Sequence, residues 1–160
     1  VERYGTDALR YYLLAKVSPV EDSDFTREKF EEAYQADLAN GLGNLVARVA
    51  AMAMGTELRL MSQDLRMSSE VIKGLEQYKF DEAMGAIWER IKKADQYVSE
   101  KRVWELQDKV KTEAVEWLVG EIRQIGVDLQ PFLPETAEKI LKQYGAEKIE
   151  KTAPLFPRLG

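Results

Sequence analysis

The 160-residue chain has no cysteine and no histidine, and these two absences exclude much of protein chemistry. Without thiols there is no disulfide framework and no thiolate metal site. Without imidazole there is no Ser-His or Cys-His nucleophilic triad and no histidine-bound metal. No apolar run approaches the roughly twenty residues a membrane span needs, and residues 1–5 form neither a basic leader nor an apolar signal core. A cytoplasmic chain with no membrane partner is therefore expected. A basic excess is missing too: 23 Lys and Arg against 28 Asp and Glu leave a formal net charge of −5. Non-specific polyanion binders are usually strongly basic, so any nucleic-acid contact here has to be local.

What is present suits one ordinary globular domain, 45% hydrophobic and 32% charged. The most ordered pattern is residues 37–54, DLANGLGNLVARVAAMAM. Leu38, Leu42, Leu45, Val49 and Met52 recur at alternating steps of four and three, which predicts one buried helix face. Asp37, Asn40, Asn44 and Arg48 form a second seam, where a merely solvated face would more often carry Glu and Lys. An amide and a guanidinium one turn apart can together read one planar hydrogen-bonding group. The same two residues can equally well cap and salt-bridge neighbouring helices.

The rest of the chain reads as helices. Thr6 or Asp7 is expected to cap a helix running to about Lys16, stopped by Pro19, and residues 19–24 form an acidic connector. A helix predicted almost at the first residue, with no initiator Met, reads as a piece of a longer protein. Thr26 is placed to cap a helix through Phe30, Ala33 and Tyr34 into the seam, with a kink expected at Gly41 or Gly43. Residues 56–73 are the least periodic. Their Arg66-Met67-Ser68-Ser69 resembles an ATP-binding Lys-Met-Ser-Lys-Ser loop but lacks both lysines and any Gly-rich context, so it reads as a connector. Met84, Ile87, Trp88, Ile91 and Val98 define a long helix, and Val115, Leu118, Ile122, Ile125 and Leu129 another, ended by Pro131; Trp88 and Trp117 are both expected in the core. Pro134 suits the first turn of a last helix, ended by Gly145, and the tail APLFPRLG is expected to lie across the bundle through Leu155 and Phe156. The fold class is all-α, a helical bundle.

Trp104, in SEKRVWEL, belongs to no apolar stripe. Around it Arg90, Lys92, Lys93, Lys101, Arg102, Lys109 and Lys111 outnumber the acids. An aromatic face beside cations is what a splayed single-stranded base needs, one group to stack on and others to hold phosphates. The alternative for Trp104 is a loop anchor packed into the end of the bundle.

Four motifs together carry a family resemblance: YGTDALRYYLL at residues 4–14, DFTREKFEEAYQADLANGLGNLVARV at 24–49, YVSEKRVWEL at 97–106, and PFLPETAEKI at 131–140 with PLFPR at 154–158. The chain resembles the anticodon-binding domain of methionyl-tRNA synthetases, class I aminoacyl-tRNA synthetases. The resemblance implies that residues 1–22 end a stem-contact region and that residues 23–160 form an anticodon-binding bundle with an extended C-terminal tail. Its partner would be the anticodon stem-loop of methionine tRNA, with anticodon CAU, and a parent catalytic domain would lie in cis. Asn44 and Arg48 match an Asn and an Arg that hydrogen-bond the first anticodon base, a cytosine. Trp104 matches a stacking Trp, and Lys92, Lys93, Lys101 and Arg102 are candidate RNA backbone contacts. Activation of methionine with ATP and Mg would belong to the parent's catalytic domain. Neither its HIGH-type nor its KMSKS-type signature occurs here, so this chain is expected to hold no cofactor or metal and to catalyse nothing.

Two positions depart from the family pattern. Val103 stands where a proline usually precedes the Trp, leaving the loop backbone freer, and Asp95 stands where an Asn is usual. Two rivals are weighed against this reading: the anticodon domain of another class I synthetase, such as the cysteine or isoleucine and valine enzymes, and a helical interaction module with no RNA role.

Overall fold

The computed structural model describes residues 3–17, 25–59 and 65–160, which contain helices and no strand. The expected domain boundary between residues 22 and 23, and the acidic connector, lie outside the described residues.

The first helix, α1 (Thr6–Ala15), buries Ala8, Tyr11 and Tyr12. Neither Thr6 nor Asp7 caps it. The cap position is Gly5, held at φ 84°, and no side chain bonds the free amides there. Asp7 instead turns into the molecule, where its Oδ2 accepts the backbone N–H of Thr136 at 2.7 Å. Thr136 lies in the first turn of α7 (Pro134–Gly145). Asp7 thus satisfies an unpaired donor at the positive end of a helix 129 residues away, and sequence-local capping rules do not see such a partner. Arg10 strengthens the same junction, its Nε donating to the Phe132 carbonyl at 2.7 Å.

Thr26 does cap α2 (Arg27–Ala33), its Oγ1 accepting from the Lys29 amide at 3.2 Å. The chain then stays helical through both glycines, Gly43 keeping φ −62° and ψ −42°. Over Tyr34–Gly43 the helix widens to π geometry, and it returns to α geometry as α3 (Asn44–Ala53). A Cβ on Gly43 would lie 3.0 Å from the Leu38 carbonyl oxygen, so a side chain at the end of the π segment would crowd the preceding turn. Leu38, Leu42, Leu45 and Val49 are fully buried, as their spacing predicts, with Met52 partly so.

Two long helices complete the bundle, α5 (Phe80–Glu100) and α6 (Asp108–Leu129), with the short α4 (Ser69–Glu76) before them. Helix α6 packs against α7, α5 and α3, and α4 packs on α5. Gly126 lets α6 and α7 approach, since a Cβ there would meet Leu141 Cδ2 at 2.9 Å. Of the Arg66–Ser69 stretch, residues 66–68 are a connector, as expected, and Ser69 begins α4: the Ser68 amide and hydroxyl both donate to the buried Asp128 carboxylate, at 2.7 and 2.8 Å. The tail crosses the π segment with Phe156 buried. There Tyr34 Oη donates to the Pro157 carbonyl, and the Leu159 amide donates to Gln35 Oε1, both at 2.9 Å.

Of the two tryptophans expected in the core, Trp88 packs against it, its ring 4.4 Å from that of Tyr11. Trp117 does not. It is 43% exposed and covered on one side by Tyr97, at 4.4 Å between ring centroids. It lies one residue before Leu118 and so about 100° round the helix from the apolar seam.

Replacing Asp7 by Ala strands the buried Thr136 N–H and should cost about 1–3 kcal/mol of stability in urea unfolding, with Asp7→Asn, which keeps an acceptor, costing less. A second expectation concerns alkaline pH. Burial, and then the Asp37 carboxylate that accepts its hydrogen bond at 2.9 Å, push the Tyr11 phenol well above its ordinary range; burial pushes Tyr144 well above it too and raises Tyr34. Above about pH 10 the unfolded chain loses these protons while the folded chain keeps them, so their stabilisation is full below that pH and is lost as pH rises. Urea midpoints at pH 8 to 11 should fall steeply for the wild type and less steeply for Tyr11→Phe.

Candidate nucleic-acid interface

The start of α3 sets the site. Asn44 and Arg48 lie one turn apart on it, outside the arc formed by Leu45, Val46 and Val49, so both are half-buried rather than enclosed. The Arg48 Nη1 donates to Asp95 Oδ1 on α5 at 2.9 Å, and its guanidinium carbon lies 5.7 Å from the centre of the Trp104 ring. Arg48 thus bridges the two segments that the sequence pattern singles out. The Asn44 amide has no hydrogen-bond partner among the described residues. Asp37, at the other end of the polar seam, is drawn away by Tyr11 and by Lys16, whose Nζ is 3.0 Å distant. Asn40 is exposed.

Trp104 is carried by a 3₁₀ turn, Val103–Glu105, directly after α5. Arg102 takes the left-handed conformation there, at φ 47°, and pairs with Glu105. Val103 is fully buried while Trp104 remains 46% exposed. The turn that lacks a proline is therefore anchored by a buried side chain, and the indole faces outward under Arg48.

The four candidate backbone contacts do not form one patch. Lys92 lines a cleft of about 380 Å³ together with Asp37, Gly41, Trp88 and Asp95, on the Arg48 side of α5. Lys93 lines another, with Ser68, Trp117 and Asp128. One step along a helix turns a side chain by about 100°, so the two lysines diverge. Lys101 and Arg102 are exposed where α5 ends, close in sequence to Trp104. Two features escape sequence reasoning: the Asp95 carboxylate as the partner of Arg48, and the buried Trp88 indole N–H, which has no acceptor. Among the described residues no group of three or more acidic side chains converges as a metal site, and no helix is long and apolar enough to cross a membrane.

Residues 1–50 match the family model described as tRNA synthetases class I (M). Across 99% of its length the chain is 34% identical to methionine–tRNA ligase 1 of Bacillus cereus and 33% identical to the methionine–tRNA ligase of Bacillus subtilis. Over almost its whole length the chain is thus homologous to part of the methionyl-tRNA synthetases. It spans about 30% of the length of each of these ligases. The methionyl-tRNA synthetase of Mycobacterium tuberculosis, solved in its free state, has the same fold over 99% of this chain and 40% of its own, with a TM-score of 0.78 at 22% identity. Its complex with methionyl-adenylate superposes at a TM-score of 0.74 and 23% identity, over 98% of this chain and 38% of its own. The all-α bundle therefore has the fold of part of a methionyl-tRNA synthetase, with Arg48 joining Asp95 on α5 to Trp104 just after it and Asn44 one turn away on α3.

The contact between the Arg48 guanidinium and the Trp104 face should show up as a coupling of about 0.5–1 kcal/mol in a double-mutant cycle of Arg48→Met and Trp104→Ala, read by urea unfolding. Additive effects would place the two groups apart in solution.

Proposed function

We propose that this chain is the anticodon-binding part of a methionine–tRNA ligase and that Asn44, Arg48 and Trp104 read the CAU anticodon of methionine tRNA. A catalytic domain elsewhere in the parent protein would attach methionine using ATP, in the cytoplasm. Residues 23–160 would form the anticodon bundle, and residues 1–22 the end of the stem-contact region.

One observation carries the reading: Arg48 holds its planar cation beside a half-exposed indole, one helical turn from an amide with no partner among the described residues. An arginine offers five N–H donors and Asp95 occupies one, so others stay open to a base stacked on Trp104. Cytosine presents two acceptors and one amino donor on its pairing edge. The Arg48 fork suits the acceptors and the Asn44 amide oxygen the donor, whereas uracil reverses part of that pattern. The Asp95 carboxylate restrains the fork, but with Arg48 and Asp95 about one-third and one-half exposed the ion pair contributes no more than about 1 kcal/mol. A base can therefore rearrange it at little cost.

Stem-loops carrying CAU, UAU or GAU test the reading, titrated at two salt concentrations. CAU should bind more tightly than the others by roughly 1–3 kcal/mol, and Arg48→Lys should lose most of that gap although its charge is kept. Trp104→Ala should weaken binding by about 1–3 kcal/mol. Lys92→Gln should lower affinity for all three loops alike and flatten the salt dependence, while Lys93→Gln, facing α6, should do neither. Equal affinities of the wild type for CAU and UAU would show that α3 does not read the first base.

A further inference from the structure

Also lined by Arg48, but by no residue of α5, an open groove of about 310 Å³ runs between the tail and α3, its walls including Ala47, Arg48, Ala51, Gln143, Lys151 and Leu155. Gln143, on α7, is 8% exposed, and its Nε2 donates to the Glu150 carbonyl at 2.7 Å. That bond fixes the amide, because the flipped rotamer would set oxygen against oxygen. The Gln143 Oε1 is thereby left buried with no donor. A buried acceptor without a partner is costly, and it is expected where a ligand supplies the missing donor. The neighbouring surface describes that ligand. Ala47 and Ala51 leave a low wall that admits a flat ring, Leu155 offers apolar contact, and Lys151 places an exposed cation at the rim.

We infer that this groove is a second nucleobase subsite, in which Gln143 Oε1 accepts a hydrogen bond from the exocyclic amino group of a base adjacent in the strand to the one on Trp104, with Lys151 near its phosphate. Arg48 is the common wall of both subsites, so one residue sets the register of two successive bases. The inference rests on the anticodon reading, under which the adjacent base is adenine and offers such an amino group.

The test pairs the CAU stem-loop with the same loop carrying purine, which lacks the amino group, at the second position, both followed by fluorescence anisotropy. The wild type should prefer adenine by roughly tenfold or more, the usual consequence of leaving a site's polar group unpaired. Gln143→Leu should erase that preference and keep the preference for CAU over UAU. Ala51→Leu narrows the groove from its exposed rim and should weaken the adenine and purine loops alike. Failure of the wild type to prefer CAU over UAU would overturn the anticodon reading, and this inference with it. A wild type that prefers CAU over UAU but binds the adenine and purine loops equally would overturn the second subsite alone. So would a folded Gln143→Leu protein that keeps the adenine preference, or, should that variant not fold, an Ala51→Leu protein that binds both loops like the wild type.

Discussion

Burial of the inner face of α3 places the candidate site, and the polar contacts around Arg48 follow from it. Leu42, Leu45, Val49 and Ala50 are fully buried, and burying each large side chain is worth about 1.5–3 kcal/mol. The Arg48–Asp95 pair, partly open to solvent, is worth at most about 1 kcal/mol. The apolar face therefore decides the rotation of α3, and the guanidinium arrives beside α5 as a consequence. The π segment just before α3 belongs to the same constraint, because its wider turns keep Leu38 and Leu42 in the core while α3 restarts at Asn44.

Around this centre, hydrogen bonds between residues far apart in sequence tie the first helix to the last one and the tail to the π segment. Asp7 holds the start of α7, and Arg10 the turn before it. The tail is held by Tyr34 and Gln35, and Tyr144 donates to the Val46 carbonyl on α3. Each bond alone has a modest net value, but each buried donor or acceptor becomes expensive if its partner moves. Displacement of the tail would therefore be felt at α3, which the tail overlies along the groove shared with Arg48.

Periodicity made the helices legible, and with them Leu38 to Val49 as core, Pro134 at a first turn, Thr26 as a cap and Phe156 as the anchor of the tail. It failed where the deciding partner is distant in sequence. Asp7 looked like a local cap and serves α7. Asp37 looked like part of the polar seam and serves Tyr11 and Lys16. Trp117 looked like core because it adjoins the apolar face, yet it lies just off that arc and stays 43% exposed with Tyr97 against one side. At the site, Asn44, Arg48 and Trp104 could be singled out from spacing and from motif resemblance. That Asp95 would hold Arg48 could not, because that pairing depends on how α3 and α5 cross.

The loop before Trp104 shows how one constraint can stand in for another. A proline would restrict the backbone directly; here Val103 is buried without residual exposure, and Arg102 takes the left-handed turn that ends α5. Left-handed backbone costs a non-glycine residue roughly 1–2 kcal/mol, which the burial of Val103 offsets. A platform held this way loses little further entropy when a base stacks on it. That matters in a chain of net charge −5, which gains little from general attraction to phosphates. Affinity for RNA must then come from a few well-positioned groups, and at about 1–3 kcal/mol per stacked base or bidentate contact, two such subsites sharing Arg48 would supply most of the discrimination between anticodons.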